Sequence, residues 1–351
     1  MLGSTQQNNR EEWIDTAKGL ALIFVLIGHS TFYEGAAFVY IFHIPLFFFL
    51  SGYVFSGENR STKEFINRKI TGLLIPYYVL GIFVLIANTI INIYVVGGRM
   101  DYLFKITDQK ERIIHYFTQE RFGVLWYISA IFWMNLILFG LYRLFRGNKL
   151  ALLIASIVMA VVAQVYYYGG GKSVIFNLDI VCAMFVFFVC GYIARKIDLF
   201  SKLECNYIAW FLLCIIIALV VGSFNNFHIG DRVDIYYNQY GIAPIMYLAA
   251  AFGTLGISCL CHKIHSRGLA YLGRNSMIIY AWHQTTVFTI VQEVFKQALG
   301  RNFAALQYRI AEMFVSMVLS LVIFIAVTEY ISRTKAAKYF GVKQQELIDR
   351  Q

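Results

Sequence analysis

Residues 13–32 read WIDTAKGLALIFVLIGHSTF, and the reading of this stretch decides the fold. Its length is close to the roughly 20 residues that span the hydrocarbon of a bilayer. It is apolar over most of that length, yet it holds Asp15, Lys18 and His29. Working outward, comparable apolar runs recur near 36–56, 72–96, 124–143, 149–168, 178–195, 207–224, 240–261, 269–295 and 308–331. Arg274, His283 and Gln284 border or interrupt the ninth. Over all 351 residues, 59% are apolar and 14% charged, against about 25% charged in ordinary soluble chains. So few polar groups cannot cover a core of this size in water. The pattern predicts an all-α integral membrane protein of about ten transmembrane helices. It forms a single domain over residues 1–351, with short tails at about 1–12 and 332–351.

The net charge of +10 would raise the question of nucleic acid in a soluble protein. Here the basic residues sit in short loops between apolar runs, where they act as topology signals and contacts for anionic membrane lipids. Nucleic acid is therefore not expected as a partner. With the N-terminus inside, the inner loops and tails outnumber the outer loops in Lys and Arg by about two to one, which places both termini in the cytoplasm. The largest outer set falls in the longest outer loop, 97–123, among Asp101, Asp108, Glu111 and Glu120. The first twelve residues are polar and no small-residue cleavage site follows, so no cleavable signal is expected. The six cysteines form no CxxC pair and read as apolar packing residues; no metal site is expected.

Ionisable groups inside a span are costly and mark function by default. Lys18 and His29 are eleven residues apart, close to three whole turns at about 3.6 residues per turn, so both project from one face. They are separated by about 16 Å along the axis. Asp15, one turn before Lys18, can pair with it. Leu22, Val25 and Leu26 lie between as an apolar track. This arrangement suits a long amphipathic donor with an anionic end and a reactive end, and a neutral His29 can take a proton from a hydroxyl. A snorkelling lysine and an interhelical histidine bond are the plainer alternatives.

Further along, His43 opens the second span at a depth comparable to His29, followed by Phe47, Phe48 and Phe49 as lipid-facing or packing surface. Ser51 and Gly52 then permit close helix approach. Arg68 and Lys69 stand before the third span, as phosphate grips or as topology signals. Asn88 and Asn92 are four apart within it, as expected of interhelical glue. Trp126 and Tyr127 open the fourth span, where an aromatic belt explains them equally well. Asp179 sits near the outer end of the sixth span and His283 midway along the ninth, with a solvated helix end and packing as their alternatives. No Walker A loop, GxGxxG, HExxH or GxSxG is present, which argues against ATP-driven pumps, nucleotide-dependent oxidoreductases, zinc proteases and ordinary serine hydrolases.

These motifs, in this order, resemble the bacterial acyltransferase-3 family of membrane acyltransferases, in its branch of surface-polysaccharide O-acetyltransferases without an attached extracytoplasmic domain. Trp13-Ile14-Asp15 through Lys18-Gly19 to Gly28-His29 is similar to the family's signature of a basic residue and a histidine eleven apart. Phe42-His43-Ile44-Pro45 through Ser51-Gly52 resembles the second motif, and Arg68-Lys69 with Leu73-Leu74-Ile75-Pro76-Tyr77 the third. Leu125-Trp126-Tyr127-Ile128 and Leu272-Gly273, Ser276, Ile279-Tyr280 and His283 complete the set, which covers residues 13–283. The chain departs from the pattern in having Lys18 where arginine is usual, and Gly72 where a second arginine often stands.

The resemblance implies a multi-pass protein of the bacterial cytoplasmic membrane that moves an acyl group, usually acetyl, from cytoplasmic acyl-CoA to a hydroxyl of a surface or lipid-linked glycan. In that scheme His29 acts as general base, and Asp15 belongs with it to the catalytic set. Lys18, Arg68 and Lys69 hold the donor phosphates of acetyl-CoA, and His43, Trp126, Asp179 and His283 shape the acceptor side. An acyl-histidine intermediate is the variant chemistry. The rival reading is a transporter or flippase for the glycan or its lipid carrier, and a third is a passive scaffold. The oligomeric state is left open, a homo-oligomer included.

Overall fold

A computed structural model describes residues 12–95 and 109–344. Among these residues the chain is an all-α membrane protein, and β pairing is confined to one isolated bridge between Asp234 and Gln239. In chain order the helices are α1 (Glu12–His29), α2 (Tyr33–Val39), α3 (His43–Tyr53), α4 (Thr62–Lys69), α5 (Ile75–Tyr94), α6 (Gln109–Thr118) and α7 (Trp126–Leu144). There follow α8 (Lys149–Tyr168), α9 (Leu178–Lys196), α10 (Leu199–Leu203), α11 (Tyr207–Ile229) and α12 (Ala243–Cys261). The last are α13 (Arg267–Arg274), α14 (Ser276–Trp282), α15 (Thr289–Leu299) and α16 (Leu306–Ser332). Local chemistry sets several ends. Asn148 caps α8 by accepting from the Ala151 amide at 3.1 Å, Ser266 caps α13 through the Leu269 amide at 3.3 Å, and Gly230 stops α11 at φ +78°.

Eight helical stretches among the described residues are long and apolar enough to cross a bilayer. The two other expected spans correspond to α1, whose 18 residues include Glu12, Asp15 and Lys18, and to 267–299, which is broken into α13, α14, a π turn at Gln284–Phe288 and α15. Rows of apolar side chains face outward on the long helices: Val158, Val161, Val162 and Val165 on α8, and Leu212, Ile216 and Val220 on α11. Such continuous exposed apolar surface is stable only when lipid is the solvent.

α1 lies within the bundle, with Ala17, Ala21, Leu22 and Leu26 fully buried. Burial of apolar area does not draw helices together in lipid, so close backbone approach matters more. Gly19 faces the backbone of Leu269, and Gly273 faces that of Asp15. The α3–α9 crossing repeats the device, with Gly52 against Phe188 and Gly191 against Phe49. A Cβ at any of these four glycines would strike the facing main chain. The Phe47-Phe48-Phe49 run therefore packs inward and is buried. Trp126 and Tyr127 are buried as well, inside the bundle, and form no interfacial belt.

The expected outer loop 97–123 is corrected over its described part. α6 runs back along α5: Arg112 donates to Asn88 Oδ1 at 2.8 Å, and Tyr77 donates to the Tyr116 carbonyl at 3.1 Å. Arg112 is buried. A charge this deep is tolerable because an amide oxygen awaits it. Arg99, Asp101, Lys105 and Asp108, also assigned to that loop, lie outside the described residues.

Candidate active site

α1 delivers His29 at its last turn, and a cavity of about 860 Å³ opens at that end of the helix. That volume lies within the usual range for small-molecule sites. Val25, Gly28 and His29 form its α1 wall, and Tyr40 and His43 reach it from the entry to α3. Val124 and Trp126 come from the start of α7, and Tyr280 from α14. The loop between α11 and α12 contributes Arg232 and Asp234, and residues 296–309 contribute Lys296, Arg301 and Arg309.

Three histidines meet here. The rings of His29 and His283 lie with centroids 5.2 Å apart, tilted by 49°. His283 is wholly buried and its Nδ1 lies 2.9 Å from the Tyr280 carbonyl and 3.0 Å from that of Ile279. His43 Nδ1 lies 2.8 Å from the Val39 carbonyl. Carbonyl oxygens only accept, so both Nδ1 atoms carry hydrogen, and each ring when neutral keeps Nε2 as a lone-pair acceptor. Tyr40 packs edge-on to His43 at 4.8 Å, and the Arg232 guanidinium lies 4.4 Å above the Tyr40 ring.

The turn after His29 is held by a residue absent from the sequence reading. Glu312 of α16 is fully buried. Its Oε2 accepts from the Thr31 amide at 2.9 Å and from Thr31 Oγ1 at 2.7 Å, and its Oε1 accepts from Ser316 Oγ at 2.6 Å. Gln292 adds a bond to the His29 carbonyl at 3.3 Å. The signal was present, an ionisable residue inside the last apolar run. Arg232 carried no such signal, because it stands in a polar loop.

Asp179 does not line the cavity. It is ion-paired with Arg121 and accepts from Asn238 Nδ2 at 2.8 Å. Tyr236, one of the lining residues, donates to the Arg121 carbonyl at 2.6 Å. Asp179 thus fastens the 231–241 loop that covers the cavity, which is a different task from touching an acceptor. Asp234 in that loop accepts from the Tyr236 amide at 3.0 Å, and burial raises its carboxyl above the ordinary range.

Asp15 is also displaced from the role expected of it. It lies fourteen residues from His29, about 21 Å along a helix, and is paired with Arg274 at 3.5 Å. A carboxylate at that remove cannot touch the reacting atoms. At this end of α1, Lys69 has Arg68, Arg60 and Lys18 as its electrostatic neighbours, so the three expected donor cations do gather. The cavity does not reach them: it extends to Val25, while Leu22 and Leu26 are packed into the core. Among the described residues no cluster of His, Cys, Asp or Glu has metal-holding geometry.

A nodulation protein, NolL, from Mesorhizobium japonicum is 36% identical over 83 residues, which cover 20% of this chain and 22% of that protein. No solved structure matches. The acyltransferase-3 family, described as an acyltransferase domain, matches residues 11–329. With its family match running from before α1 into α16, the chain belongs to the acyltransferase-3 family of membrane acyltransferases.

Proposed function

We propose that the protein transfers an acyl group, acetyl in the simplest case, from acyl-CoA to a hydroxyl of a surface or lipid-linked glycan. One observation carries the reading. A single helix, α1, presents an imidazole to a ligand-sized cavity at one end and a lysine to a cluster of cations at the other. His29 takes the proton of the acceptor hydroxyl. The oxygen attacks the thioester carbonyl, the C–S bond breaks, and the coenzyme A thiolate leaves with the proton returned by His29. Lys18, Arg68 and Lys69 hold the phosphates of the donor, and the helices must part beside Leu22 and Leu26 for its pantetheine arm to reach His29. Asp15, through Arg274, keeps the packing of α1 against α13 in register and so positions Lys18. His43 and Trp126 contact the acceptor from the cavity wall. The positive-inside pattern supports a donor end in the cytoplasm and a cavity on the outer side of a bacterial cytoplasmic membrane.

The test is transfer by the purified protein in lipid, with radiolabelled acetyl-CoA and lipid-linked glycan, comparing wild type with His29→Ala. Label entering glycan only with wild type supports the reading. Transfer at the wild-type rate by a folded His29→Ala protein refutes the base role. Flux of unmodified glycan with no label moved would favour a transporter.

A further inference from the structure

We infer that His283 is the positioning residue for His29: its bare Nε2 accepts a ring N–H of His29 and leaves the other nitrogen of His29 as the base facing the cavity. The inference rests on the transfer reading above, which it deepens.

The argument starts from an unpaired atom. Nε2 of His283 is buried and has no hydrogen-bond partner, although the ring is wholly enclosed. A buried acceptor without a donor is costly and calls for an explanation. In the neutral ring the two carbonyls hold the hydrogen on Nδ1, which leaves Nε2 bare. The backbone enforces this arrangement. A π turn, Gln284–Phe288, begins at the next residue, with the Phe288 amide bonded to the His283 carbonyl at 3.0 Å. Such widened turns are frequent at functional sites.

The aromatic ring of Phe288 stands edge-on to His283 at 5.4 Å, and the Tyr280 ring lies 6.4 Å away. The polar ring against it is His29, at 5.2 Å. The rings are in contact without a bond between them, so the inference requires His29 to turn about its side-chain torsions until one of its N–H groups meets the orphaned lone pair. His43 cannot substitute as donor, since its one N–H is committed to Val39. Of the three rings, His29 alone has no backbone bond fixing its tautomer, so a neighbour with a fixed lone pair decides it. When His29 takes the hydroxyl proton, both its nitrogens become donors. One is then met by His283, and the other hands its proton to the departing thiolate, which returns the pair to its starting state.

Two measurements test this. The first is 15N NMR of histidine-labelled full-length protein in lipid bilayers, which reads tautomers without any activity. His283 is expected to be protonated at Nδ1 and bare at Nε2, with an N–H···N coupling to His29 that disappears in both His29→Ala and His283→Leu. A protonated Nε2, or no coupling between the two rings, overturns the inference. The second is kinetic. Glutamine places an acceptor where Nε2 stands, asparagine where Nδ1 stands, and leucine none. His283→Leu and His283→Asn are expected to lose about 100-fold in kcat with KM for acetyl-CoA within about twofold, while His283→Gln stays within about tenfold of wild type. Wild-type kcat in His283→Leu refutes the inference. Wild-type transfer by His29→Ala would instead refute the base role of His29, and the kinetic part of the inference with it, and leave the spectroscopic result to judge the histidine pair.

Discussion

Replacing Glu312 separates hydrogen bonding from charge at the turn that carries His29. In Glu312→Ala, Ser316 Oγ can turn to a helical carbonyl and Thr31 Oγ1 can find another acceptor. The Thr31 amide, which points at Oε2 from 2.9 Å, is stranded. An unsatisfied buried donor costs about 1–3 kcal/mol. The space left by a fully buried side chain adds a comparable amount, for a total of about 3–5 kcal/mol. Glu312→Gln behaves differently. Its amide oxygen replaces Oε2 toward both Thr31 donors, and its NH2 faces Ser316 Oγ, which can accept. Only the charge-assisted part of the bonds is lost, about 1 kcal/mol. The assay is thermal unfolding followed with a thiol-reactive fluorophore. Cys214, Cys259 and Cys261 are buried free thiols that unmask on unfolding, and the exposed Cys205 supplies a constant background. The alanine variant should melt well below the glutamine variant, and transfer activity should fall in the same order. Equal destabilisation by Gln and Ala would refute the hydrogen-bond account and leave the charge itself as the essential feature.

Asp179→Ala should leave Arg121 buried without its carboxylate, at a cost of about 3–5 kcal/mol, and hydrogen exchange should rise across 231–241 while α8 and α11 stay protected. The raised pKa of Asp234 means that the folded state holds its proton above the pH at which an unfolded aspartate loses it. Stability from this group is therefore greatest at low pH and declines as pH rises through the elevated value; Asp234→Asn should flatten that slope, measured as melting temperature against pH, because it keeps an acceptor for the Tyr236 amide. A short acetyl thioester without phosphates should serve as donor directly from the cavity, so Lys18→Ala should raise KM for acetyl-CoA by about tenfold or more and leave the use of the short thioester unchanged. Equal losses with both donors would show that Lys18 maintains the fold rather than gripping phosphate.

The long spans were legible because lipid imposes a length and a composition on them. The run read at 149–168 is α8, Lys149–Tyr168, and that read at 178–195 is α9, Leu178–Lys196. α6 was not legible. Its ten residues include Lys110, Glu111 and Arg112, which read as a loop by charge. What turns them inward is a partner outside the segment, Asn88, together with the stack of Tyr77 and Tyr116. Asn88 itself was legible as a polar group inside a span, but its guest was not, because the pairing spans 24 residues and depends on how the chain folds back.

The site divides along the same line. Each of His29, His43 and His283 stood out singly as a costly residue in an apolar run. That His29 and His283 meet while Asp15 and Asp179 stand apart from them follows from helix crossings that periodicity does not encode. Gly19 and Gly273 let α13 approach α1 at the level of Asp15, and that contact gives Asp15 to Arg274. From there α14 and its π turn carry His283 to the other end of α1. Asp179 lies on α9, where Arg121 reaches it first. A carboxylate claimed by a buried guanidinium is no longer available to a substrate, whereas an imidazole held only by backbone carbonyls keeps one nitrogen in reserve. The bonds already made by each polar group therefore decide which of them can do chemistry, and those bonds are fixed only once the glycines have set how closely the helices pack.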